Sequence, residues 1–144
     1  MVSEEIISGL TLARDIIHTS DYSVVAIKNS NVISKKKGEG MRPILELIEE
    51  LGETIHECII GDRILGKASS LLCIYSKAKA VYSPQATKTA IALLLINGIP
   101  SQADVLIDHV ENRDGTGVCP FEKMLKDVSS PEQAYNILKE KVLM

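Results

Sequence analysis

Residues 59–73, Ile-Ile-Gly-Asp-Arg-Ile-Leu-Gly-Lys-Ala-Ser-Ser-Leu-Leu-Cys, join a short apolar run to an amphipathic one across a glycine and a charged pair. That pattern predicts a strand that turns on Gly61 and enters a helix. Asp62 is placed to cap the helix, because its carboxylate can accept the free N–H groups of the first turn. Ile64, Leu65, Ala68, Leu71, Leu72 and Tyr75 then fall on one stripe, with Lys67 at its edge. Ligands of α/β proteins collect where strands end and helices begin, which makes Asp62 and Lys67 the first candidate site residues. Lys67 would pair with Asp62 or a ligand phosphate, or act as a base or nucleophile if burial strips its proton. The plainer alternatives are a structural cap and a side chain snorkelling from the core margin.

The flanking sequence continues the alternation. Ser3 before Glu4 and Glu5 signals a helix start, and Ile6, Leu10, Ala13 and Ile17 carry one face to about His18. Residues 22–28 suit a strand, Asn29-Ser30-Asn31 is turn chemistry, and residues 32–36 return, which predicts a hairpin. After the Gly38-Glu39-Gly40 loop, Pro43 opens a helix with Ile44, Leu45, Leu47, Ile48 and Leu51 inward, stopped at Gly52. Residues 57–60 form the strand before the central helix, and residues 79–83 the next strand. Ser83-Pro84 then reads as the cap of a helix running through Ala90, Leu93 and Leu94 to Asn97-Gly98. Residues 105–107 make a further strand, and Cys119-Pro120 and Pro131 open the last two helices. Strands alternating with helices predict an α/β protein. The expected form is a three-layer α/β/α sandwich, one domain over residues 1–144, with a sheet made mixed by the hairpin.

Composition narrows the partners. No apolar run reaches the roughly 18 residues of a membrane span. The start Met-Val-Ser-Glu-Glu lacks the basic-then-apolar pattern of a secretory leader, and three widely spaced cysteines suit reduced thiols, so a cytoplasmic location is expected. A net charge of −3, no Trp and one Phe weigh against nucleic acid as partner. Lys35-Lys36-Lys37 reads as a solvated strand end.

Candidate chemistry concentrates near the C-terminus. With Pro120 as first helical residue, Cys119 is the N-cap and Glu122 the third position, a capping box with a thiol in place of the hydroxyl. A thiol at a helix start has its thiolate favoured by the dipole, so Cys119 is a candidate nucleophile and Glu122 its proton partner. The alternative is a packed Cys beside a structural cap. Gly115-Thr116-Gly117 has amides that can cradle an anion, and Arg113 and Arg42 can clamp a carboxylate or phosphate, or form structural ion pairs.

Three landmarks carry a resemblance: residues 61–68 (Gly-Asp-Arg-Ile-Leu-Gly-Lys-Ala), Val81-Tyr82-Ser83, and residues 112–122 from Asn112 to Glu122. With a hairpin followed by two strand-to-helix turns, the chain resembles the cytidine deaminase-like superfamily. More specifically it is similar to an uncharacterised bacterial family known as a domain of unknown function. Zinc deaminases need a His or Cys with a nearby Glu at the first helix start and Pro-Cys-x-x-Cys at the second. Here those places read Gly61-Asp62-Arg63-Ile64 and Tyr82-Ser83-Pro84-Gln85-Ala86, so the resemblance implies a zinc-less branch with no cofactor. A rescue site from His56, Cys58 and Cys119 matches no common zinc spacing. The scaffold puts Ser83 where a ligand would stand, and implies homo-oligomers. The expected function is a metal-independent small-molecule site for a nucleoside- or nucleotide-like ligand. It would lie between the helix starts at Asp62 and Ser83, closed by residues 112–122. Cys119, Glu122, Lys67 and Asp62 would do the chemistry, and Ser83, Asn112, Arg113 and Arg42 would hold the ligand. The alternative is a non-catalytic ligand-binding or interaction module on the same scaffold.

Overall fold

A tight turn at Asn29 and Ser30, with φ of 51° and 63°, sets the sheet going. Two successive positive φ values are those of a type I′ turn, whose backbone twist matches that of the strands it joins. It joins β1 (Val24–Lys28) to an antiparallel β2 (Asn31–Lys36) in the computed structural model, which describes residues 3–144. The expectation of no secretory leader rests in part on Met1 and Val2, which lie outside those residues. On its other side β1 pairs antiparallel with β3 (Ile59–Asp62). β3 is parallel to β5 (Ala80–Thr87), and β5 is parallel to β6 (Ser101–Ile107) at the far edge. A two-residue strand, β4 (Ile64–Leu65), also runs parallel to β5. Ile59 lies opposite Ala80 and Ile64 opposite Gln85, so β4 continues β3 in the same register after a break at Arg63.

Helices cover both faces. On one, α1 (Glu4–Thr19) starts at Ser3, whose hydroxyl accepts the Ile6 N–H, and buries Leu10, Ala13 and Ile17 against Val25, Ile27 and Ile59. On the other lie α2 (Arg42–Leu51), α3 (Lys67–Tyr75), α4 (Lys88–Ile96) and α6 (Pro131–Leu143), over Val24, Ala26, Ile60 and Val81. Alternate residues of β1 thus face opposite cores, which is why the strand is apolar throughout. A short α5 (Pro120–Met124) precedes α6. The architecture is the expected three-layer sandwich with a mixed sheet. Among the described residues no helix is long and apolar enough to cross a membrane.

Two expected helix starts fall inside the sheet. Gly61 does not turn the chain; it pairs with Val25 and Tyr82, and its lack of a Cβ lets Ala13 and Ile17 of α1 lie against the strand. Asp62 therefore ends β3 instead of capping a helix, Ile64 and Leu65 belong to β4, and α3 starts at Lys67 after Gly66. Ser83-Pro84 likewise sits within β5, and α4 is capped by Thr87, whose hydroxyl accepts the Ala90 N–H. Pro84 is tolerated because it falls at the break between β3 and β4 and is skipped in the pairing with β6, so no ladder bond needs its missing N–H.

Candidate functional site

A hollow of about 1290 Å³ opens at the C-terminal ends of β3, β4 and β5. Asp62, Arg63, Ser69 and Gln85 line it from the sheet and α3, residues 106–114 form one wall, and Cys119 and Glu122 close it from α5. The loop of Gly38, Glu39 and Gly40 makes the opposite rim.

Asp62 is 7% exposed. Burial pushes its carboxyl up to about 7, with the Ser69 hydroxyl and the N–H groups of Ile64 and Arg63 offsetting part of that rise. Arg63 adjoins it, yet its guanidinium is spent elsewhere. It donates to the carbonyls of Ile17, Ser20 and Tyr22 at 2.6–2.9 Å through Nη2, and its Nε adds a 3.1 Å bond to Tyr22. These bonds staple the end of α1 and the approach to β1 onto the strand break. Asp62 is left as a buried carboxylate with no salt bridge among the described residues.

Glu122 acts on a helix that the sequence did not connect with it. Its Oε1 accepts the N–H of Lys67 and its Oε2 the N–H of Ala68, both at 2.8 Å, so it caps α3 from 55 positions away. Gly66 is what makes this cap fit, because a Cβ there would overlap the Glu122 carboxylate and Val110. Cys119 does occupy the N-cap position of α5, but its thiol makes no capping bond, and its N–H goes to the carbonyl of Val110 at 2.8 Å. With five residues, α5 has little dipole to offer that thiol.

The remaining candidates divide. Asp62, Cys119, Glu122, Asn112 and Arg113 share the hollow; Lys67, Ser83 and Arg42 do not line it. The Lys67 ammonium turns away to the carbonyl of Lys126 at 2.8 Å, so it neither pairs with Asp62 nor anchors a ligand there. Ser83 is buried, its hydroxyl closed onto the backbone of Gln85. Arg42 binds the carbonyl of Val142 at 2.6 Å, which ties α2 to the end of α6. Asn112 holds its own loop closed through both side-chain atoms on Thr116, and the N–H groups of Gly115 and Thr116 are used inside that loop. Arg113 pairs with Glu39 at 2.9 Å and links the two loops at the rim.

At the helix starts the residues are Gly66-Lys67-Ala68 and Thr87-Lys88-Thr89, without His or Cys, so the donors of a zinc deaminase site do not fit here. Cys58 precedes β3, at the opposite end of that strand from Asp62, and its thiol faces the carbonyl of Thr54 and is pushed up by burial. It cannot gather with Cys119, and no group of three or more metal-ligating side chains forms among the described residues.

Other polar groups went unnoticed in the sequence. Gln85 and Ser69 reach the hollow because β5 extends past Pro84 and α3 begins late. On the α1 face, His18 Nε2 lies 2.8 Å from both Tyr82 Oη and Asp104 Oδ2, and the Tyr82 hydroxyl donates to Asp104 at 2.5 Å. Burial and then Asp104 push the Tyr82 hydroxyl up; burial opposes ionisation of Asp104, but bonds from Tyr82 and His18 outweigh it and hold that carboxyl down. No local signal links residues so far apart in sequence.

Comparison with known proteins follows the same lines. The family TM1506, domain of unknown function (DUF1893), matches residues 12–142. The crystal structure of a DUF1893 family protein (TM1506) from Thermotoga maritima aligns with a TM-score of 0.84 at 25% identity, over 98% of this chain and 92% of that one. One crystal form of Acinetobacter baumannii RibD aligns with a TM-score of 0.51 at 12% identity, over 69% of this chain but 36% of RibD, and at that distance shares the fold alone. No curated protein matches. The sandwich is thus distantly similar to the deaminase-like fold, and the chain itself belongs to the TM1506 family of domains of unknown function.

Proposed function

We propose that this chain binds a small uncharged or cationic molecule, nucleoside-like in size and polarity, in the hollow over Asp62. The observation that carries this reading is Asp62 itself: a nearly buried carboxylate at a strand end, without a paired cation, lining a cavity large enough for such a ligand. A carboxyl held near neutrality can donate or accept a proton as the ligand requires.

Charge narrows the class. Glu39, Asp62, Asp108, Glu111, Asp114 and Glu122 line the hollow, against Arg63, Arg113 and His109, and both arginines are already engaged. A phosphate would enter an acidic mouth with no free guanidinium to receive it, so the nucleotide half of the expected ligand class is disfavoured. The pairing of Cys119 with Glu122 as nucleophile and proton partner is also weakened, because both Glu122 oxygens serve α3. That observation favours binding without covalent turnover, the module reading, over hydrolysis or group transfer.

Thermal-shift titration tests the proposal with nucleobases, nucleosides and small amines, each beside its phosphorylated counterpart, at about pH 6 and pH 8. Uncharged or cationic members should stabilise the protein, and Asp62→Asn should weaken them about tenfold or more, as loss of a charge-assisted contact does. Equal binding by Asp62→Asn, or a preference for phosphorylated members, would refute it.

A further inference from the structure

α4 carries one charge, Lys88, in nine residues, and every position from Ala90 to Ile96 is apolar. A helix of that kind is ordinarily enclosed. Here Ala90 and Leu94 alone are buried, while Leu95 and Ile96 are 74% and 80% exposed. α4 packs on α3, β5 and β6, which makes it the outermost helix of its layer beside the outermost strand.

That strand is equally unguarded. β6 pairs with β5 on one side, and among the described residues its other edge has no backbone partner. It exposes Val105 by 58% and Leu106 by 52%, and it holds no Lys, Pro or bulge of the kind that keeps edges from pairing. Its single charge, Asp104, is held on the α1 face by His18 and the nearby Arg14 of α1 and by Tyr82 of β5.

We infer that this rim, the outer edge of β6 with the exposed flank of α4, is the interface with a second copy of the chain. An edge strand calls for a strand, and two copies of β6 set antiparallel about a two-fold axis satisfy each other's free N–H and C=O groups. The same axis brings one α4 alongside the other, apolar flank to apolar flank, with Lys88 as the only charge on either helix. Leu95, Ile96, Val105 and Leu106 together offer on the order of 400 Å², about half of what each partner in a stable dimer buries. The paired backbone of β6 and the half-buried Ile91 and Leu93 add to it. Because Leu106 and Ile107 also line the hollow, pairing would brace one wall of that site from outside.

Sedimentation equilibrium of the full chain, from about 1 to 100 μM, reads the mass directly. The wild type should sediment at twice 15.7 kDa. Ile96→Glu with Val105→Lys should weaken the dimer at least about 30-fold, as loss of central contacts does, and leave circular dichroism unchanged because both side chains are exposed. Hydrogen exchange adds a second readout: amides of residues 101–107 should be protected in the dimer and exchange faster in the variant. A wild-type monomer at 100 μM would overturn the inference. So would a dimer that survives the double substitution with exchange in β6 unaltered.

Discussion

A carboxylate with its ordinary affinity for protons could not stay both buried and ionised without compensation, and Asp62 has little. Its carboxyl titrates near 7 when folded and near the model-peptide value of 3.8 when not, so between those values the folded chain holds more protons than the unfolded one. The contribution of Asp62 to stability is then greatest below about pH 4 and falls as pH rises toward 7, the reverse of the paired acids Glu49, Glu50 and Asp104, whose carboxyls are held down. From about pH 5 to pH 8.5 the wild type should lose roughly 3 kcal/mol that Asp62→Asn does not. Urea unfolding at the two pH values measures this, and parallel curves for the two proteins would show that the burial of Asp62 costs nothing. That a charged residue closes the buried run Ile59-Ile60-Gly61 was legible in the sequence. Its role was not, since a helix cap and a strand end both accept an Asp, and only the register against Tyr82 decides between them.

At the scale of elements, the parts that read correctly are those whose signals are local. Ser3 caps α1, Asn29-Ser30 turns the hairpin, and Pro43 and Pro131 open α2 and α6 through chemistry within three or four positions. Ser83-Pro84 misleads because the same dipeptide suits a helix start and a strand whose proline meets a gap in the ladder. The start of α3 was beyond reach for a different reason: its cap is supplied by Glu122, on another helix. A carboxylate holding two backbone N–H groups is worth about 2–3 kcal/mol, so Glu122→Ala should destabilise the chain by that much. Gly66→Ala should cost a similar amount by displacing the same carboxylate, and the two together should cost clearly less than their sum. Faster exchange of the Lys67 and Ala68 amides identifies the cap as the cause. Strict additivity would mean that Gly66 and Glu122 are not coupled.

For the molecule as a whole, the alternation of strands and helices was enough to reach the layers, because each element's apolar face must meet a neighbour and few arrangements allow it. What alternation cannot convey is how the layers are fastened, and Arg63 shows why. As a sequence it is one half of an Asp-Arg pair, suggestive of ligand binding. As a structure it is a fastener, reaching from the break between β3 and β4 to three carbonyls at the end of α1 and the approach to β1. Those carbonyls meet in a half-buried corner with no other side-chain donor to them among the described residues, and losing the guanidinium would leave them short of partners. Arg63→Met, which keeps much of the stem, should therefore cost about 2–4 kcal/mol, or roughly 5–15 °C in Tm for a chain of this size. Arg63→Lys should recover only part, since one ammonium cannot reproduce the spread of a planar fork. Because the same segment carries Asp62, loosening it should also shift the pH dependence described above toward the ordinary carboxylate range as water reaches the site. Measuring unfolding of Arg63→Met across pH separates the two roles. A destabilised variant that keeps the wild-type pH dependence would make Arg63 a fastener of layers alone, whereas a lost dependence would show that the fold's clamp is also what keeps the hollow's acid dry.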